Sequence, residues 1–111
     1  MSDSVTLEVA LLAAKTALFE SLSEISGSDY KIDIIIDDNS CFRAIIDFEK
    51  CIGELIIEKQ NYTPYRYICF NILSSITDLP FSIFFWSDSE NDSSEAITKN
   101  ISEGVKTAAK Y

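Results

Sequence analysis

Carboxylates are the commonest side chains in this sequence with the capacity for chemistry, and several come in close pairs: Asp37 with Asp38, Asp47 with Glu49, and Glu54 with Glu58. Two carboxylates in one cleft divide acid and base duties when their surroundings push their proton affinities apart. Here the acids alternate with apolar residues on strand-like runs, which a half-exposed sheet produces without any catalysis. Nucleophilic chemistry lacks its usual base. The chain has no histidine, so neither its serines nor Cys41, Cys51 and Cys69 have the ordinary activating partner. The same absence removes the commonest metal ligand. The run from Ser87 to Asp92 is rich in oxygen, but it has neither the ligand register nor the bend glycine of a calcium loop. Gly27, Gly53 and Gly104 are scattered, and none opens a helix as a phosphate-cradling loop does. The sequence is therefore read as a non-enzyme, with no cofactor and no metal.

Such residues need elements to position them, and 111 residues provide for one domain, residues 1–111, with a core of its own. A helix is expected over residues 4–25. Ser4 is its expected N-cap, Leu7, Leu11, Ala14, Leu18, Leu22 and Ile25 form an apolar stripe, and Gly27 follows as a terminator. The period then changes to two. Tyr30, Ile32, Ile34 and Ile36 share one face of a first strand, and Phe42, Ala44, Ile46 and Phe48 share one face of a second. A connection over 50–53 leads to a third strand near 54–59, and the run 60–64, ending in Pro64, breaks the pattern. Strands over 66–73 and 81–86 follow, then an acidic loop and a helix over about 93–109, where Asp92 and Glu95 have capping-box spacing.

Short links between consecutive strands predict an α+β fold: a five-stranded antiparallel meander with the N- and C-terminal helices on one face, a two-layer sandwich. Leu11, Leu18, Ile34, Ile46, Leu55, Phe70, Ile83 and Ile101 are the residues expected deepest in its core.

Nine basic and 18 acidic residues leave a net charge of −9. That charge disfavours nucleic acid and anionic membrane surfaces, both of which need a basic footprint. The polar, acidic start at Met1-Ser2-Asp3-Ser4 has no positive signal region, the apolar runs are too short to span a bilayer, and three cysteines make a poor disulfide framework. A cytoplasmic chain with free thiols is expected, as a monomer or homodimer.

The expected outward face of the sheet is neither polar nor plainly buried. It intersperses Ile35, Ile45 and Ile56 with Asp33, Arg43, Asp47, Glu54 and Glu58, and it adds Tyr67, Asn71, Phe84 and Trp86. Rigid aromatics that anchor, among acids that steer, suit a protein-binding face. The acids expected to meet a partner are Asp33, Asp37, Asp38, Asp47, Glu54, Glu58, Asp88 and Glu90, with Tyr67 and Trp86 as anchors.

In length, acidity and order of elements, and in the hairpin Arg43-Ala44-Ile45-Ile46-Asp47-Phe48 … Cys51-Ile52-Gly53-Glu54-Leu55-Ile56-Ile57-Glu58 with Ile-Gly at its turn, the chain resembles small bacterial immunity proteins. Within that set it is similar to those paired with contact-dependent growth inhibition toxins that attack transfer RNA. The resemblance implies a cognate basic toxin domain, an RNA-cleaving nuclease, as the partner. It assigns no role to any residue. The alternative reading is an acidic secretion chaperone that binds an effector segment. Such chaperones interrupt their strands with a dimerisation helix, and no helical period is present between about 60 and 80.

Overall fold

The computed structural model describes residues 5–25, 30–59, 66–89 and 91–111. Helix α1 (Leu7–Glu24) leads into strands β1 (Lys31–Asp37), β2 (Cys41–Asp47), β3 (Cys51–Glu58), β4 (Ile68–Ser74) and β5 (Ser82–Ser87), and helix α2 (Ser94–Lys110) follows. The strands pair antiparallel in chain order, so the sheet is an open five-stranded meander. Both helices lie on one side of it, and the fold is α+β as expected.

Opposed residues in an antiparallel ladder share a face. The inner face can therefore be followed from strand to strand: Ala44, Leu55 and Phe70 form one row, and Ile46, Gly53 and Ile72 the next. Phe42, Ile57 and Ile68 form a third row, and every non-glycine residue of the three is fully buried. Leu11, Leu18 and Leu22 of α1 and Ile97, Ile101 and Val105 of α2 close over them. Cap geometry sets the helix ends. Thr6, not Ser4, caps α1 through an Oγ1 that accepts from the Val9 amide at 3.2 Å. Ser93, not Asp92, caps α2 by accepting from the Ala96 amide at 3.2 Å. Asp92 turns back instead, and its Oδ2 accepts from the Ser89 amide at 2.8 Å. Gly27 lies outside the described residues.

Three other expectations change. The β1 register slips between Ile34 and Ile36, so one residue bulges out of the ladder. Up to Ile34, opposite Ala44, the alternation runs as the period predicts; beyond the bulge Ile36 stands opposite Arg43 on the outer face and Asp37 opposite Phe42 on the inner one. Ile34 is thus on the inner face but 44 % exposed, because no helix covers this edge strand. Ile83, beside a second register shift in β5, is half-buried rather than deep. Finally, β3 begins at Cys51, so Ile52 and Gly53 belong to the strand, with Gly53 opposite Ile46. The turn is Phe48 to Lys50.

That turn is strained. Glu49 has a φ of 84°, a left-handed conformation that costs a residue with a Cβ. The Asp47 carboxylate accepts the Glu49 amide at 3.0 Å, and the next carbonyl, that of Lys50, accepts the Ser75 amide at 2.9 Å. Glu49→Gly relieves the strain and is expected to raise stability by about 1 kcal/mol, once glycine's greater unfolded-state entropy is subtracted. A urea-denaturation midpoint that falls would contradict this.

Cys41 and Cys51 flank the β2–β3 hairpin from opposite ends and opposite faces. Cys41 faces Glu58 on the outer side, whereas Cys51 is buried on the inner side with its Sγ 3.6 Å from the Ala108 carbonyl. All three cysteines are free. Burial raises each thiol above its ordinary pKa, and neighbouring carboxylates add to the effect: Glu58 at Cys41, Asp47 at Cys51 and Glu54 at Cys69.

Candidate functional site

The site is the face of the sheet that the helices leave uncovered. Three rows cross it. Ile36, Arg43, Ile56, Cys69 and Ser87 form the first, and Asp33, Ile45, Glu54, Asn71 and Phe85 the second. Lys31, Asp47, Ile52, Leu73 and Ser82 form the third. Each row sets apolar side chains beside a charged one: Ile36 and Ile56 flank Arg43, Ile45 lies between Asp33 and Glu54, and Ile52 lies between Asp47 and Leu73. Ile36, Ile52, Leu73 and Phe85 are 37–50 % exposed, which is unusual for large apolar side chains on one contiguous face. Ile45 and Ile56 are half-buried between them.

An ion pair crosses the middle of this field. The Arg43 guanidinium donates to Glu54 Oε2 from Nη2 at 2.6 Å and from Nε at 2.9 Å. Arg43 on β2 and Glu54 on β3 are diagonal neighbours, the reach expected for long side chains on adjacent strands. With Arg43 and Glu54 paired to each other, Asp33, Asp47 and Lys31 are the other charged side chains of these three rows. The face is thus mixed: apolar side chains surround the central ion pair, and Asp33 and Asp47 lie toward the β1 edge. Among the described residues no group of His, Cys, Asp and Glu is arranged to hold a metal ion, and no helix is long and apolar enough to cross a membrane.

No protein-family model matches the chain, and neither the curated proteins nor the solved structures contain a significant match. The residues themselves therefore carry the functional argument.

Of the residues expected at a partner interface, Asp33, Asp47, Glu54 and Glu58 do share the outer face. Tyr67 follows beside Glu58, whose amide donates to the Tyr67 carbonyl at 2.9 Å. The Tyr67 ring is half-buried, with the Arg66 guanidinium carbon 5.3 Å from its centroid. Glu90 lies outside the described residues. Asp38 is exposed in its turn, whereas Asp37, Trp86 and Asp88 lie elsewhere than expected.

Asp37, carried to the inner side by the bulge, takes the Lys15 ammonium of α1 at 2.7 Å. Asp38 stays exposed but works inside the β1–β2 turn. Its Oδ1 accepts from the Ser40 amide at 2.8 Å, the Ser40 hydroxyl at 3.0 Å and the Cys41 amide at 2.8 Å. These hydrogen bonds, with the Ser40 amide foremost, hold its carboxyl below the usual range. Trp86 stands opposite the buried Phe70 and so packs toward the helices. Phe84, opposite Ile72, does the same, with its ring 5.7 Å from that of Phe70 in an edge-to-face contact. Asp88 is the largest departure. It is 2 % exposed, and its Oδ1 accepts the amides of Tyr67 at 2.8 Å and Ile68 at 2.7 Å. A buried carboxylate that closes β4 against the end of β5 is out of reach of a partner.

Sequence reasoning missed four apolar members of the face: Ile36, Ile52, Leu73 and Phe85. The run Ser82-Ile83-Phe84-Phe85-Trp86 is apolar on both faces, so its period could not decide which aromatic points outward. The pairing of β4 with β5, by contrast, decides it at once.

Proposed function

We propose that this chain is a toxin-neutralising immunity protein. It docks the uncovered face of its sheet on a basic toxin domain, an RNA-cleaving nuclease, and inhibits it by stoichiometric protein–protein association. The observation that supports this reading is the set of exposed and half-buried apolar side chains, Ile36, Ile45, Ile52, Ile56, Leu73 and Phe85, on one sheet face beside Asp33 and Asp47. Desolvated apolar residues at the centre of an interface supply most of its affinity, while charges at the rim steer the encounter. A net charge of −9 accelerates approach to a basic surface, and a nuclease is basic where it holds its substrate. Inhibition by occlusion requires no catalytic group from the inhibitor. Five strands about 4.8 Å apart and six to eight residues long present a face roughly 20 Å on a side, about 400 Å² and so about half of one partner's share of a standard interface, which leaves the surrounding turns to supply the rest of the contact.

Co-expression with the protein encoded by the neighbouring gene tests the reading. Wild-type protein is expected to restore growth. Ile56→Asp places a charge at the centre of the face and is expected to abolish protection while the variant still folds, since Ile56 lies outside the helix-covered core. Protection that survives Ile56→Asp and Ile45→Asp together would remove the sheet face from the account.

A further inference from the structure

A second surface lies on the opposite side of the molecule. Helices pack about 8–10 Å apart and strands about 4.8 Å apart, so two helices cover about four strands of a sheet and leave the fifth bare. Among the described residues, β1 is the strand that no helix covers. Its inner residue Ile34 is 44 % exposed, and the flank of α1 that overlooks it carries Leu12, 70 % exposed, Phe19, 42 %, and Val9, 41 %. These three recur at helical spacing on the side away from the buried Ala10, Ala14 and Ala17. The Phe19 ring meets Phe42 of β2 at 6.4 Å, edge-to-face, and Lys15 Nζ reaches Asp37 of β1 at 2.7 Å, which fixes the helix flank above the strand. A groove of about 630 Å³ opens beside this flank, lined in part by Glu8, Val9, Leu12 and Lys15 of α1 and by Asp38 and Asn39 of the β1–β2 turn. Its lining runs along α1 from Glu8 to Lys15, about two helical turns, and the exposed Phe19 extends the apolar flank by one turn more.

The groove has a sign. Lys15, its one lining cation among the described residues, is bound to Asp37 and sits 5.3 Å from the Phe42 ring centroid, so Glu8 and Asp38 give the rim its charge. We infer that this groove is the seat of a third helix, supplied by a partner protein: an amphipathic helix of about three turns, leucine-like on the face that meets Leu12, Phe19 and Ile34, and lysine-rich on the flank that meets Glu8 and Asp38. Such a helix completes the helical layer over β1 and follows the helix-in-groove mode, with anchors at i, i+3 or i+4, and i+7. A second copy of this chain is the poorer occupant. Its exposed α1 carries Glu8, Glu20 and Glu24 against a single lysine, and like charges would meet. The inference stands apart from the docking of the outer sheet face and does not depend on it.

The test is a titration of the full-length, ¹⁵N-labelled protein with a 14-residue amphipathic peptide of leucine and lysine, and with the matched leucine–glutamate peptide. The expected result is chemical-shift change concentrated at Leu12, Phe19 and Ile34 with the lysine peptide and none with the glutamate one. Leu12→Ser is expected to weaken the lysine peptide at least tenfold; Leu12 is too exposed for that change to disturb folding. Shift changes confined to Ile45 and Ile56 on the outer face, or an affinity that Leu12→Ser leaves unchanged, would overturn the inference. A wild-type dimer in sedimentation that Leu12→Ser disperses would overturn it too, by giving the groove to a second copy.

Discussion

Asp88→Ala is expected to lower the unfolding free energy by about 3 kcal/mol, even though it removes an acid from a chain that carries far too many. Two buried amides, those of Tyr67 and Ile68, lose their acceptor at once. Each orphaned buried donor costs about 1–3 kcal/mol, against which the relief of long-range repulsion is small in salt. The loss falls where the chain re-enters the sheet. The Arg66 amide donates to the Asp88 carbonyl at 3.1 Å and the Asp88 amide to the Ile68 carbonyl at 3.3 Å, so one residue fastens the start of β4 to the end of β5. Asp88→Asn keeps an acceptor of the same shape and is expected to lose less. Urea denaturation of the three proteins checks this, and an alanine variant within about 0.5 kcal/mol of wild type would show that the buried carboxylate is not what holds the strands together.

Gly104→Ala is expected to destabilise by about 1–3 kcal/mol, against the rule for a glycine inside a helix, where alanine ordinarily gains about 1 kcal/mol. A Cβ at this position would lie 2.5 Å from Cε2 of Phe70 and 2.8 Å from Cε2 of Phe84. Neither ring has room to retreat, since each packs edge-to-face on the other and Phe70 is fully buried. The glycine is thus what lets α2 approach the sheet over two phenylalanines. Phe70→Leu opens that space, so the same Gly104→Ala change is expected to cost less in its background, with a coupling of about 1 kcal/mol or more in a double-mutant cycle. Additive losses would mean that the helix does not rest on these rings.

Much of this architecture is legible in the order and spacing of the residues. The apolar stripes of both helices and the alternation in β2, β3 and β4 place Leu11, Leu18, Ile46, Leu55, Phe70 and Ile101 in the core, where they are. Those segments are legible because each has one covered face, which forces a period. β1 is an edge strand with isoleucine at three successive positions, and its bulge transfers Ile36 to the outer face and Asp37 to the inner one. No local period records such an insertion. β5 has large apolar residues on both faces, so only its pairing with β4 reveals that Phe85, and not Trp86, points outward. Asp88 in a run of acids and serines has the composition of a solvated loop; its burial depends on two amides about 20 residues earlier in the chain. The acidic, partly apolar character of the outer face is visible in the alternation of β2 and β3, but its aromatic and its margins are not.

The proposal is that the partly apolar, partly acidic outer face of the sheet binds a basic toxin domain. Stopped-flow association with the purified protein encoded by the neighbouring gene, across a series of salt concentrations, tests it most directly. The account predicts an association rate that falls steeply as salt rises, a shallower fall for Asp33→Lys with Asp47→Lys, and, for Ile56→Ala, dissociation faster by roughly thirtyfold, equivalent to about 2 kcal/mol, at an unchanged association rate. An association rate indifferent to salt, together with a dissociation rate indifferent to Ile56→Ala, would contradict it.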